Sequence, residues 1–192
     1  MSGYRYPVEV VGLLVSPTHR YAGRPADGAT PPVPGADPER RTEITVRAGV
    51  GVPGDRYAGR AAHLGAAVSL VAVEALEAVA AELGTGPLDW EPTRRTVALR
   101  GADLNGLRGV DFAIDCGDGP VRLGGRRPAS PCAWLDAQLA PGVHRGLRGR
   151  GGLRCEALGS GTLRVGPAVL LSPVALDPAR AGEPALRRSR LP

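Results

Sequence analysis

Along the chain, apolar positions fall mostly in short runs or alternate with polar ones, cut by glycine and proline. Only once do they settle into a sustained helical repeat. Residues 6–16 form an apolar run stopped at Pro17, which reads as a strand, and residues 42–47 alternate as a half-buried strand does. Between them Pro25, Pro31, Pro32, Pro34 and Pro38 stand among glycines and charges, so residues 21–41 are expected to form a long surface loop. Gly49-Val50-Gly51-Val52-Pro53-Gly54-Asp55-Arg56 follows as a tight glycine-rich loop. A strand over residues 69–71 leads into the clearest helix, residues 72–83. There Val73, Leu76, Val79, Ala80 and Leu83 recur at helical spacing and Gly84 marks the stop.

Past the polar link at Gly86-Pro87, further strands are expected at residues 95–100, 110–114, 121–123, 153–158, 162–165 and 168–171. Many short strands with two or three peripheral helices predict a mainly β protein, a closed or nearly closed barrel. Residues 1–174 read as one domain, and residues 175–192, rich in proline and arginine, as a loose basic tail. A chain of 192 residues can bury a core without staples.

Charge and composition narrow the chemistry. The formal charge is +5, and all 24 basic residues are arginine, with no lysine. A Schiff-base or pyridoxal phosphate enzyme and a lysine-bearing phosphate loop are thereby excluded. Arginine forks suit phosphate, sulfate and other flat anions. Aromatics are 4%, with no platform of interleaved aromatic and basic residues, so nucleic acid is not an expected partner. No run of 18 apolar residues and no secretory leader pattern occur, so no membrane association and a cytoplasmic location are expected. Cys116, Cys132 and Cys155 are odd in number and widely spaced, which argues against a disulfide framework and a structural zinc site.

Cys132 is the most informative of the three. In Arg127-Pro128-Ala129-Ser130-Pro131-Cys132, Ser130 is expected to cap a short helix, Pro131 to open it and Cys132 to lie in its first turn. The helix dipole and the upstream Arg126 and Arg127 would then favour a thiolate. That pattern fits a nucleophile or a soft-metal ligand, and equally a small residue plugging the core. Arg94, Arg95, Arg127 and Arg150 are candidate anion contacts, with glycines 149, 151 and 152 letting backbone come close. Asp55 and Asp103 are expected to serve turns, His63 to face solvent, and Cys116 and Cys155 to be bystanders. His19 and His144 offer no spacing for a metal triad.

Gly-Val-Pro-Gly-Asp55-Arg56, Val68-Ser-Leu-Val-Ala-Val-Glu-Ala-Leu76, Arg94-Arg95-Thr96-Val97, Gly101-Ala-Asp103-Leu-Asn105-Gly-Leu107, Pro131-Cys132, Gly149-Arg150-Gly151-Gly152 and Gly161-Thr-Leu-Arg-Val-Gly166 occur in one order. That order resembles MOSC domains, the molybdenum cofactor sulfurase C-terminal family, over about residues 42–171. The resemblance implies a MOSC-type β-barrel that binds the molybdenum cofactor (molybdopterin) or carries sulfur, with Cys132 as the reactive or metal-ligating thiol. Taken with the anion-binding chemistry of the residues themselves, it makes Arg56, Arg94, Arg95, Thr96, Arg127, Ser130 and Arg150 the expected cofactor contacts. Three departures stand out. Ala129 occupies the place of a second cysteine, Tyr57 that of a common histidine, and Thr96 that of a common asparagine.

Three functions follow from the resemblance and the residues together. In the first, the protein is a sulfur carrier or sulfurtransferase whose Cys132 persulfide is loaded by a cysteine desulfurase or other sulfur donor. In the second, Cys132 ligates molybdenum and the protein reduces N-hydroxylated or similar substrates with an external electron donor. In the third, it is a non-enzymatic cofactor carrier.

Overall fold

The computed structural model describes residues 3–186. In chain order the elements are β1 (Tyr4–Leu14), β2 (Arg40–Arg41), β3 (Glu43–Val46), β4 (Val68–Ala72), α1 (Val73–Leu83), β5 (Val97–Arg100) and β6 (Asp111–Asp115). There follow β7 (Pro120–Pro128), α2 (Trp134–Gln138), α3 (Val143–Gly146), β8 (Leu153–Ala157), β9 (Gly161–Arg164) and β10 (Gly166–Ser172). Seven strands close a ring in the order β1-β10-β6-β7-β8-β4-β5 and back to β1, while β2 extends the edge of β1 and β3 pairs with β9. This is the mainly β barrel with few helices that the strand pattern predicts.

All neighbours in the ring are antiparallel except β4 and β5, which are parallel and joined through α1. A parallel pair needs a crossover, and α1 supplies it. On β4, Leu70 points into the barrel while Val71 belongs to an outer cluster with Leu76 and Val79 of α1. Burial on both faces is why this strand reads as an unbroken apolar run rather than an alternation. Gly84 ends α1 in the left-handed conformation at φ 64°, with its N–H on Ala80 and Ala81 carbonyls. Leu83, assigned to the apolar face from its spacing, is 38% exposed.

Leu70, Leu99, Ile114, Leu123, Leu153, Cys155 and Leu170 fill the barrel interior. A packed small barrel has no room for a ligand, so the site belongs on the outer wall. Trp90, Leu135 of α2, Val143 of α3 and Leu147 just after it cover part of that wall over β4 and β5.

Two segments depart from the sequence pattern. β7 runs five residues beyond 123 because Gly125, which has no side chain, lies against the Leu107 carbonyl, and β8 supplies pairing that Gly124-Gly125-Arg126-Arg127 does not advertise. Residues 175–186 are docked rather than loose: Ala181 is buried, the Ala185 N–H donates to the Gly149 carbonyl, and Leu176 packs on the core. The remainder of the expected tail, residues 187–192, lies outside the described residues. No helix among the described residues is long and apolar enough to cross a membrane.

Candidate functional site

Cys132 is exposed, unlike Cys155, which is buried in the core and whose thiol is pushed far up by burial. Its setting differs from the expected cap. The Ala129 N–H donates to the Gly152 carbonyl, so the strand-like path of β7 continues past Pro128, and Pro131 disfavours a helical conformation at Ser130. Only at Cys132 does the chain turn, its carbonyl accepting from the Leu135 N–H, and α2 begins at Trp134. Ser130 therefore caps nothing, and Cys132 precedes the helix instead of lying within its first turn.

What positions this segment is Arg95. Its Nε donates to the Gly151 carbonyl at 3.2 Å, and its Nη2 to the carbonyls of Ala129 and Ser130, each at 3.1 Å. One guanidinium thus ties the residues before Cys132 to the loop before β8. Gly151 makes the approach possible, since a Cβ there would sit 2.6 Å from the Ala129 oxygen. Gly152, at φ 108°, likewise lies against the Leu70 carbonyl. Both glycines thus let neighbouring backbone come close.

Beside Arg95 lies a small recess of about 40 Å³ lined by Asp55, Arg56, Tyr57, Ser69, Arg94, Thr96 and Arg154. Burial, with the Arg154 charge next and that of Arg56 after it, pulls Arg95 down to about 10, partly offset by the Cys132 sulfur. Among the described residues, Arg56, Arg95 and Arg154 have no carboxylate partner. Asp55 is close, but its oxygens accept from the Ser16 and Tyr57 N–H groups at 3.1 and 2.9 Å, which is the turn role expected of it. The Arg56 guanidinium lies 4.5 Å from the Tyr57 ring centre, and its Nε is buried without a partner. An unneutralised cationic cluster with an orphaned buried donor is a site suited to an anion.

Arg94 borders the same recess in a strained state, the one described non-glycine residue with positive φ, at 56°. Its Nη2 donates to Ser16 Oγ at 2.6 Å and pairs with Glu39 at 2.9 Å, both side chains being 9% exposed, while its Nε has no partner. Glu39 also pairs with Arg20. Burial would raise the Glu39 carboxyl, but the Ser16 hydrogen bond and the Arg94 and Arg20 charges hold it below the ordinary value. Tyr21 opens the long loop by stacking on Trp134, ring centres 5.0 Å apart, and donating to the Pro92 carbonyl. Burial pushes its phenol up to about 12 against the lowering charge of Arg94.

The other expected contacts are placed as follows. The Thr96 hydroxyl lines the recess but pairs with Ser69, accepting from its N–H at 3.1 Å. Arg127 sits on the exposed outer face directly across from Arg154. Arg126 pairs with Asp111 and Glu156, so its charge is compensated on the barrel exterior. Arg150 is turned away from the recess: it donates to the Gly146 and Gly182 carbonyls and pairs with Glu82, tying α3, the C-terminal segment and α1 together. Asp103 accepts from Gly106 N–H in a turn, and His63 packs on Tyr57. Arg154, Tyr21, Glu39 and Trp134 were not legible as site residues. For Arg154 the signal is its alternation with buried Leu153 and Cys155, which turns it to the outer wall.

No known family model and no curated protein matches this chain. Its fold is similar to that of solved structures. YuaD from Bacillus subtilis has a TM-score of 0.68 and 18% identity, covering 90% of this chain and 100% of that one. YiiM from Geobacillus stearothermophilus has a TM-score of 0.56 and 15% identity, covering 85% of this chain and 74% of that one. YiiM from Escherichia coli has a TM-score of 0.51 and 18% identity, covering 90% and 72%. At such identities the likeness is one of fold.

Proposed function

We propose that this barrel is a sulfur carrier of MOSC type, which holds the phosphate of the molybdenum cofactor in the arginine recess and carries a sulfane sulfur on Cys132. The observation behind this reading is one juxtaposition. Arg56, Arg95 and Arg154 share a recess without an ion-pair partner among the described residues, and Arg95 also holds the segment that ends in an exposed thiol. The residues fit the cofactor chemically. Its phosphate matches the unpaired guanidiniums and the orphaned Arg56 Nε, and its metal matches a single soft ligand. When bound, the group supplies a metal centre that accepts sulfur or exchanges oxygen.

The chain's own residues supply the rest. The Cys132 thiolate attacks the terminal sulfur of a donor persulfide, such as that of a cysteine desulfurase. The donor S–S bond breaks, the donor leaves as thiolate, and Cys132 keeps the sulfur as persulfide. Arg95 orients the segment through three backbone carbonyls, and Arg56 and Arg154 provide the field that draws an anionic partner to the same edge.

A second reading, with Cys132 as the protein ligand of molybdenum in a reductase supplied with external electrons, is favoured by one observation. Cys132 is a free, exposed thiol, the soft ligand that such a centre needs, and the cofactor would bring the other ligands. The test is to purify the protein from a host that makes the cofactor and measure metal, pterin and Cys132 persulfide on one sample. Transfer requires one added sulfur on Cys132 after incubation with a desulfurase and cysteine, abolished in Cys132→Ser. Stoichiometric molybdenum with no such sulfur would give the second reading precedence, and absence of both would sink the two together.

A further inference from the structure

A second cavity, of about 380 Å³, borders the Cys132 segment and shares no lining residue with the arginine recess. Ser130 and Pro131 form part of its wall, and His144, Arg148, Gly151 and Gly152 contribute to the rest. Cys132 itself does not line the cavity, but it directly follows Pro131, the last residue of the segment that does. Among the described residues no carboxylate lines it. Asp136 is nearby, but its Oδ1 accepts from the His144 backbone N–H at 2.7 Å.

The Ala129, Ser130 and Gly151 carbonyls of its wall are taken up by Arg95, which leaves donor groups on the opposite wall without an acceptor. Among the described residues, neither the Arg148 guanidinium nor the His144 ring has a hydrogen-bond or ion-pair partner, and no acceptor pairs with the Gly151 or Gly152 N–H. Consecutive free backbone donors near a guanidinium make an anion-binding concavity. The volume is that of a small-molecule site, at the lower end of the range of about 300–1,000 Å³.

We propose that this cavity binds a small anionic sulfane-sulfur compound, thiosulfate or an organic thiosulfonate, and presents its outer sulfur to Cys132. The proposal rests on the reading of Cys132 as a sulfur acceptor. The Cys132 thiolate forms a new S–S bond to the outer sulfur, the S–S bond of thiosulfate breaks, and sulfite leaves with the electron pair. Cys132 is left as a persulfide anion, so charge and atoms balance with no further reactant. His144, Arg148 and the glycine N–H groups stabilise the oxygens of the leaving sulfite, where negative charge builds.

The test uses the full chain, thiosulfate as the probe, and two readouts, released sulfite and the gain of one sulfur atom on Cys132. Wild type is expected to release one sulfite per protein in a single turnover. His144→Gln combined with Arg148→Ala is expected to slow it about 100-fold, as for loss of charge-stabilising donors. Alkylation of Cys132 by uncharged iodoacetamide should be unchanged in that variant, which shows that fold and thiol are intact. An unchanged sulfite rate in the double variant overturns the proposal. So does failure of wild type to release sulfite while glutathione persulfide still loads Cys132, an outcome that leaves Cys132 standing as a sulfur acceptor. If neither donor loads Cys132, the sulfur-carrier reading itself fails.

Discussion

Glu39 and Arg95 show how single side chains set the state of the site. The lowered Glu39 carboxyl stabilises the fold fully above the ordinary value of 4.5, and that contribution is lost as pH falls through its lower folded value. Glu39→Gln should therefore flatten the acid limb of a stability–pH curve below about pH 5. At neutral pH it should cost about 3 kcal/mol, because the buried Arg94 loses its counter-charge. Urea unfolding at pH 7 and pH 4 measures both effects. Arg95→Met is expected to destabilise by about 2 kcal/mol, three charged hydrogen bonds being lost against one desolvated cation removed. Hydrogen exchange should quicken at residues 129–133 more than in the barrel strands, and uniform quickening would show that Arg95 supports the whole fold rather than the thiol segment.

At the scale of elements, the long loop and α2 are fastened to each other. Tyr21 stacks on Trp134 and reaches the Pro92 carbonyl, so the loop's first turn is anchored two residues beyond Cys132. Trp134→Ala should cost about 3–5 kcal/mol and open residues 21–41 to limited proteolysis. Tyr21→Phe keeps the stack and loses the hydroxyl. Because the folded phenol ionises near 12 rather than 10, its contribution holds below pH 10 and fades as pH rises toward 12, and Tyr21→Phe should remove that alkaline decline. Proteolysis with an unchanged cleavage pattern in Trp134→Ala would mean that Glu39 and its arginines alone hold the loop.

For the molecule as a whole, a filled lumen and a cationic outer wall imply that anions bind and stabilise from outside. Inorganic phosphate at about 100 times its dissociation constant should add about 2.7 kcal/mol, a rise of roughly 5–10 °C in Tm. Arg56→Ala with Arg154→Ala should lose the saturable part of that rise in a thermal melt. An undiminished rise would remove the recess as the anion site.

Most of the strands and the main helix could be read before any fold was known, because burial imposes a period of two or of 3.6 on the residues that carry it, whereas the exposure of Cys132 could not. Val73, Leu76 and Val79 show their helix face, and the closing strands show their alternation. The β7 extension escaped notice because its glycines and arginines owe their conformation to β8, not to themselves. Arginines are alike as letters, and nothing local separates Arg150, which ties three segments of the outer layer together, from Arg154, which faces the recess. That difference comes from which strand neighbours which around the ring and from which acids lie within reach. Both are long-range contacts, so the chain's own pattern could name the thiol and the kind of charge around it, and only the closed barrel could say which guanidiniums remain unpaired beside it.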